Sequence, residues 1–66
     1  MKNRIKVQRA IKNITQDQLA VELGVSRQTI NAIELSKYSP SAALALKMAR
    51  YFEVKVEEIF ELEDGD

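Results

Sequence analysis

Apolar residues recur along this chain at the three- to four-residue spacing of amphipathic helices. Two such stripes lie between positions 15 and 34, and their apolar residues are Leu19, Ala20, Leu23, Ile30 and Ile33. Gly24 separates the stripes, and glycine enters the left-handed conformation that ends a helix without steric cost. The pattern therefore predicts two short helices joined by a tight turn, which is a helix-turn-helix.

Polar residues that can cap a helix precede both stripes. The hydroxyl of Thr15 can accept from a free backbone N–H while Gln18, three residues later, reaches back to the cap. Ser26 can cap the second helix in the same way. Ala20 is small, as expected where the second helix of such a motif crosses over the first.

The remaining apolar positions predict three further helices and two short strands. The expected bounds are about 4–12 for helix 1, 42–52 for helix 4 and 57–60 for helix 5. The motif then occupies helices 2 and 3. Met1–Asn3 and Glu61–Glu63 are candidates for a short pair of terminal strands. We expect one all-α domain over residues 1–66.

The motif resembles the Cro/C1-type helix-turn-helix family of phage and prokaryotic transcriptional regulators, in particular its small single-domain members. The residues that carry the resemblance in one register are Gln16, Ala20, Gly24, Ile30, Ile33 and Glu34, with Arg9 in helix 1 and Lys37 to Ser41 after helix 3. The resemblance extends over nearly the whole chain. It implies a five-helix lambda-repressor-like DNA-binding domain whose third helix enters the major groove.

Composition excludes several other classes of protein. The chain of 66 residues has no Cys and no His, so thiolate or imidazole metal sites and the usual nucleophile-base pairs have no residues. Its longest apolar run, Ala42–Leu46, is far shorter than the roughly 20 residues of a membrane span. We expect a cytoplasmic protein that is not an enzyme and has no metal, no cofactor and no small-molecule ligand.

The formal net charge of zero hides an uneven distribution. Residues 1–14 contain five basic side chains and no acid, whereas residues 53–66 contain seven acids and one lysine. A DNA-binding surface is usually basic, so the acidic segment is expected on the side away from the phosphates. It either serves solubility alone or also pairs with basic residues near the N-terminus.

The polar face of helix 3 is the candidate surface for reading bases. Gln28 lies near its start, and its amide can both donate to and accept from adenine. Arg27 can bind guanine through two hydrogen bonds or grip a phosphate instead. Asn31 and Ala32 lie one turn further on, and Ala32 could only touch a thymine methyl.

Other polar side chains are candidates for positioning contacts with phosphates. They are Gln16, Ser26, Thr29, Lys37, Tyr38 and, further out, Lys6. The amide of Gln16 lies at a helix N-terminus, whose free N–H groups also attract a phosphate. The family resemblance implies that Gln16 supports the reading residue Gln28. The alternative for Ser26 is that its hydroxyl oxygen only caps helix 3 and does not contact a phosphate.

Two further sets of residues are expected to shape the assembly. By resemblance, Arg9 and Glu34 should form an ion pair between helix 1 and the end of helix 3.

A homodimer on a near-palindromic operator is expected because one module makes few base contacts. Ile59, Phe60 and Leu62 are candidates for its interface, with Phe60 equally suited to the core. The alternative function is a protein-binding module, such as an antitoxin, on the same fold.

Overall fold

The computed structural model describes every residue from Met1 to Asp66. Its regular elements, in chain order, are β1 (Lys2–Asn3), α1 (Ile5–Lys12), α2 (Gln16–Leu23), α3 (Arg27–Glu34), α4 (Ala42–Phe52) and β2 (Phe60–Glu61). A 3-10 helix of three residues precedes β2. None of the helices combines the length and the apolar character that crossing a membrane requires.

The segment expected to form a fifth helix is the 3-10 helix Val56–Glu58. The amides of Glu58 and Ile59 donate to carbonyls three residues earlier, at 2.9 and 3.0 Å, so the turn is tighter than an α-helix. Phe60 already belongs to β2. The five-helix expectation is therefore wrong: the chain has four α-helices, because strand pairing takes over after one turn.

The two ends of the chain pair as a short antiparallel sheet. Lys2 lies opposite Glu61 and Asn3 lies opposite Phe60. The terminal strand pairing expected from the sequence is therefore present, with the second strand starting one residue earlier than expected. This pairing brings the C-terminal segment against the start of α1.

The helix-turn-helix forms through the caps that the sequence predicts. The backbone N–H of Gln18 donates to the Thr15 hydroxyl at 3.0 Å, and the backbone N–H of Thr15 donates to the side-chain oxygen of Gln18 at 2.8 Å. Gly24 ends α2 at φ 71°, and a Cβ there would meet no atom within 4 Å, so backbone conformation rather than space requires glycine. The Ser26 hydroxyl accepts from the Thr29 amide at 3.1 Å.

The core consists of twelve buried residues, all of them apolar. They are Ile5, Leu19, Ala20, Leu23, Ile30, Ile33, Leu44, Met48, Ala49, Phe52, Ile59 and Phe60. Ile59 and Phe60 are therefore covered by their own chain. This corrects the expected position of Ile59 on a dimer surface, and for Phe60 it favours the core over the interface. Only Leu62 of that set is exposed, at 77% of its surface. Phe60 lies in β2 and Ile59 directly precedes it, whereas Leu62 follows the strand.

Ion pairs join the acidic C-terminal segment to the N-terminus. The Met1 amine lies 3.2 Å from the Glu63 carboxylate and 3.3 Å from that of Asp66. The Arg4 guanidinium lies 2.8 Å from the Glu61 carboxylate. The acidic segment was expected either to serve solubility alone or also to pair with basic residues near the N-terminus. The structure shows the second arrangement.

The terminal ion pairs change two pKa values. The hydrogen bond to Glu63, and to a smaller extent that to Asp66, raises the pKa of the Met1 amine above 8.0. The hydrogen bond from the Glu63 backbone N–H, and to a smaller extent that from the Met1 amine, lowers the pKa of the Asp66 carboxyl below 3.8. The amine's contribution to stability is complete below about pH 8 and is lost as pH rises through its raised pKa. The carboxyl's contribution is complete above about pH 4 and is lost as pH falls through its lowered pKa.

Glu53 ends α4 in the left-handed conformation, with φ 57°. We expect Glu53→Gly to raise the free energy of unfolding by about 0.5–1 kcal/mol, because it removes the steric cost of a Cβ, partly offset by the greater freedom of unfolded glycine. Urea unfolding measures the change. The matched control, Glu22→Gly in the helical backbone of α2, should lower stability by about 0.5–1 kcal/mol. Destabilisation by both substitutions would contradict the strain argument.

Candidate nucleic-acid interface

Helix α3 has one buried face and one exposed polar face. Ile30 and Ile33 are 0% and 1% exposed and anchor the helix in the core. On the other side, Arg27, Gln28 and Asn31 line a shallow open groove with no apolar residue in its lining. The polar face therefore contributes little to folding and is available for hydrogen bonds outside the chain.

Arg27 and Gln28 lie at the N-terminal end of this face without strong partners. The nearest carboxylate to Arg27 is that of Asp17, with Nε and Oδ1 3.9 Å apart and both side chains largely exposed. An exposed pair at this distance is weak and screened by salt, so the guanidinium can reorient. The side-chain hydrogen bonds of α3 involve Thr29, Asn31 and Glu34, and none involves Gln28.

The two hydroxyl groups at the start of α3 bind one another. Ser26 Oγ and Thr29 Oγ1 are 2.9 Å apart, and Ser26 Oγ also accepts from the Thr29 amide. Capping therefore uses the Ser26 oxygen, and the pair retains one hydroxyl hydrogen for a further acceptor. Ala32 is half-buried, so its methyl group is less accessible than the Gln28 and Asn31 side chains.

A two-pronged ion pair connects α1 to the end of α3. Arg9 Nε and Nη2 donate to the two carboxylate oxygens of Glu34 at 2.6 and 3.0 Å. Arg9 Nη1 also donates to the Ile14 carbonyl at 3.2 Å, in the connection between α1 and α2. The hydrogen bonds to Glu34 raise the pKa of the Arg9 guanidinium. One charged group therefore joins three segments of the chain.

Gln16 is connected to the ion pair and to the polar face. Its Nε2 donates to Glu34 Oε1 at 3.2 Å and to Asn31 Oδ1 at 3.2 Å. An amide nitrogen has two hydrogens, so both are used within the chain. The side chain thus has no N–H left for the expected phosphate contact. It also contacts Asn31, and not Gln28 as the resemblance implied.

The remaining candidates for phosphate contacts are exposed. Lys37 and Tyr38 lie in the loop that follows α3, and Lys6 lies on α1. Ser36 begins this loop in the left-handed conformation, with φ 59°, and its hydroxyl donates to the Met1 carbonyl at 3.1 Å. The sheet at the chain ends therefore supports the loop that carries Lys37 and Tyr38.

Asn3 contributes to the support of α3 in a way that sequence analysis missed. Its Nδ2 donates to the Ile33 carbonyl at 2.8 Å, and its Oδ1 accepts from the Ile5 amide at 3.3 Å. An asparagine that accepts from the backbone N–H two residues on is a recognisable turn signal ahead of α1. The hydrogen bond from Asn3 to the Ile33 carbonyl has no local sequence signal, because a long-range strand pairing brings Asn3 next to α3.

Nothing in this arrangement suggests a catalytic or metal centre. No group of three or more acidic side chains is placed to hold a metal ion. Three carboxylates of the acidic C-terminal segment, those of Glu61, Glu63 and Asp66, pair with Arg4 or the Met1 amine. A helix-turn-helix with an exposed, hydrogen-bonding second helix defines instead a class of DNA-binding proteins.

Comparison with known proteins agrees with this class. The family model described as helix-turn-helix matches residues 5–59. Similar proteins include uncharacterised HTH-type transcriptional regulators of Methanocaldococcus jannaschii, 58% identical over all of both chains, and of Archaeoglobus fulgidus, 52% identical over 91% of this chain and 84% of that one. The Bacillus subtilis regulator YgzD is 45% identical over 97% of each. The chain belongs to the Cro/C1-type helix-turn-helix family of transcriptional regulators.

We expect Glu34→Gln to lower the free energy of unfolding by about 2 kcal/mol, because it removes the charged partner of a largely buried guanidinium. Chemical denaturation followed by circular dichroism measures the loss. Glu61→Gln is the matched control, since it makes the same substitution in the half-exposed pair with Arg4. That control should cost less than about 1 kcal/mol. Equal costs would mean that the Arg9–Glu34 pair has no special structural role.

Proposed function

We propose that this regulator binds double-stranded DNA in a sequence-specific manner as a homodimer, with α3 of each subunit in the major groove of one half-site. The observation that carries the proposal is the exposed face of α3, which has Arg27, Gln28 and Asn31 opposite a fully buried apolar face. These side chains match the hydrogen-bonding edges of bases in the major groove.

Gln28 is the proposed principal reader of a base. It lies at the N-terminal end of α3, which is the part of a recognition helix that approaches base edges. Its amide makes no bond within the chain, so it can turn to donate to N7 and accept from N6 of adenine. Arg27 next to it binds guanine or a phosphate, and Ala32 offers a thymine methyl a small contact.

Lys37, Tyr38 and Lys6 are the proposed phosphate contacts, with the spare hydroxyl hydrogen of Ser26 or Thr29 nearer the helix start. Their exposure supports this assignment, as does the position of Lys37 and Tyr38 in the loop that follows α3. Such contacts set the register of the protein on the duplex and depend on salt, but they carry no sequence information directly.

A dimer supplies the specificity that one short recognition helix lacks. The longest extent of one chain is 31 Å, close to the roughly 34 Å that separates two half-sites on one face of the duplex. Two copies placed side by side can therefore reach both half-sites. The exposed Leu62 is the proposed apolar contact between them, since Ile59 and Phe60 serve the core.

Gln28→Ala should reduce the preference for the operator over random duplex by about 5- to 150-fold, corresponding to about 1–3 kcal/mol for one base contact. Lys37→Ala should weaken binding to both duplexes alike and lower the salt slope by about 1. Fluorescence anisotropy at several salt concentrations measures both effects, with the operator obtained by selection from random duplexes.

Each variant is the control for the other, because both remove one exposed polar side chain, from α3 or from the loop that follows it. A Gln28→Ala variant that keeps its full preference for the operator would exclude Gln28 as a reading residue. A wild-type protein without preference for any selected duplex would contradict the proposed function itself.

Light scattering should give twice the mass of one chain for the protein free of DNA. Leu62→Glu should shift this mass toward the monomer, because it places a charge in an apolar contact. Val21→Glu is the matched control, since Val21 is 79% exposed and Leu62 is 77% exposed. A monomeric wild type, or an equal response of both variants, would argue against Leu62 as the contact.

A further inference from the structure

We propose that Gln16 is a positioning residue that orients the amide of Asn31, so that Asn31 presents only N–H donors to the major groove and selects guanine over cytosine. This inference rests on the proposed function and adds a base preference and a cause for it. It also assigns Gln16 a role other than phosphate binding.

The geometry that supports the proposal is a continuous chain of hydrogen bonds. It begins at the Arg9 guanidinium, whose two bonds hold the Glu34 carboxylate. It continues through Gln16 Nε2, which lies 3.2 Å from Glu34 Oε1, and ends at Asn31 Oδ1, also 3.2 Å from that nitrogen. Asn31 and Glu34 are three residues apart, so one amide on α2 can reach both.

The orientation of the Gln16 amide follows from the charge of its neighbour. An ionised carboxylate only accepts hydrogen bonds, and the Arg9 guanidinium stabilises Glu34 in that form. If Gln16 turned its oxygen toward Glu34, two acceptors would face each other in a half-buried site. The nitrogen of Gln16 must therefore face the carboxylate.

The orientation of Asn31 follows from that of Gln16. The first hydrogen of Gln16 Nε2 binds Glu34, and the second points at Asn31. Asn31 can satisfy this donor only with its oxygen, because its own nitrogen would place two donors together. Asn31 Nδ2 is consequently turned away from Gln16, on the exposed polar face of α3.

A fixed pair of donors distinguishes the bases in the major groove. Guanine presents two acceptors, O6 and N7, whereas cytosine presents only the N4 donor. Adenine has one acceptor beside a donor, and thymine has one acceptor beside a methyl group. Asn31 should therefore favour guanine most and cytosine least. Gln28 has no such restraint and can use either end of its amide.

The same bonds make a phosphate contact by the Gln16 side chain unfavourable. Phosphate oxygens accept hydrogen bonds, and the only unengaged group of this side chain is its carbonyl oxygen, another acceptor. Binding a phosphate would require Gln16 to leave Glu34 or Asn31. Replacing Gln16 should therefore alter base preference if Gln16 positions Asn31, and should lower affinity for every duplex if Gln16 binds a phosphate.

The main experiment is selection from random duplexes with wild type, Gln16→Met and Gln28→Met. Methionine keeps the length of the side chain and removes its hydrogen bonds. Gln16→Met should reduce the guanine-to-cytosine preference at one operator position from about tenfold or more to within about twofold. Affinity for random duplex should change less than about twofold. Gln28→Met should flatten a different position.

Asn31→Asp tests the donor argument without altering Gln16. One aspartate oxygen can still accept from Gln16, and the other presents an acceptor in place of the donor. The preferred base at the same operator position should change from guanine to cytosine, whose N4 donates to such an acceptor. This variant keeps the test decisive should Gln16→Met fail to fold.

Amide exchange in the free protein provides a readout that does not require DNA. Both side-chain amide hydrogens of Gln16 should exchange with water more slowly than those of Gln28, which has no partner in the chain. Equal exchange rates would contradict the proposed orientation.

The outcomes separate the inference from the proposed function. Loss of affinity for every duplex alike in Gln16→Met would identify a phosphate contact and overturn the inference. Unchanged preferences in Gln16→Met, or a retained guanine preference in Asn31→Asp, would also overturn it while the Gln28 variant still supports DNA reading. Absence of any sequence preference in the wild type would remove the proposed function and the inference together.

Discussion

The ion pair between Arg9 and Glu34 is the interaction on which the orientation of the polar helix face depends. Helix α3 has only eight residues, and isolated helices of this length are not stable in water. Ile30 and Ile33 turn its apolar face to the core, and the polar contacts of Glu34 tie it to neighbouring segments. The planar guanidinium binds both oxygens of Glu34 and the Ile14 carbonyl, so α3 is tied to α1 and to the start of the motif.

Polar contacts around this pair extend the same constraint to the C-terminal end and to the middle of α3. Asn3 binds the Ile33 carbonyl at the C-terminal end, where the terminal sheet meets the helix. Gln16 carries the constraint toward the N-terminal end through its bond to Asn31. A surface that recognises bases must be held to within a fraction of an ångström, which polar networks with fixed geometry achieve better than exposed apolar contacts.

The parts of the fold that depend on neighbouring residues could be predicted from the sequence pattern alone. Of the long-range contacts, the sequence indicated the terminal strand pairing and, through the family resemblance, the Arg9–Glu34 pair, but not the polar contacts around them. Thr15, Gly24 and Ser26 act within four residues of their own position, so their caps follow from local pattern. The position of Phe60 depends on a strand pairing across almost the entire chain, so apolar character alone left core and interface equally plausible. The bond from Gln16 to Asn31 joins two polar side chains that no periodicity connects.

Under the proposed function, the distribution of charge makes base contacts more important than in a strongly basic DNA-binding protein. The acidic segment neutralises Arg4 and the Met1 amine, and Lys12 lies against the ring of Tyr51, with its nitrogen 4.8 Å from the centroid. On the proposed interface only two or three cations per subunit then remain for phosphates. Each phosphate contact contributes about 0.9 to the salt slope, so non-specific binding should be weak. In the proposed complex, discrimination between sequences therefore depends mainly on the few amide and guanidinium groups that α3 presents.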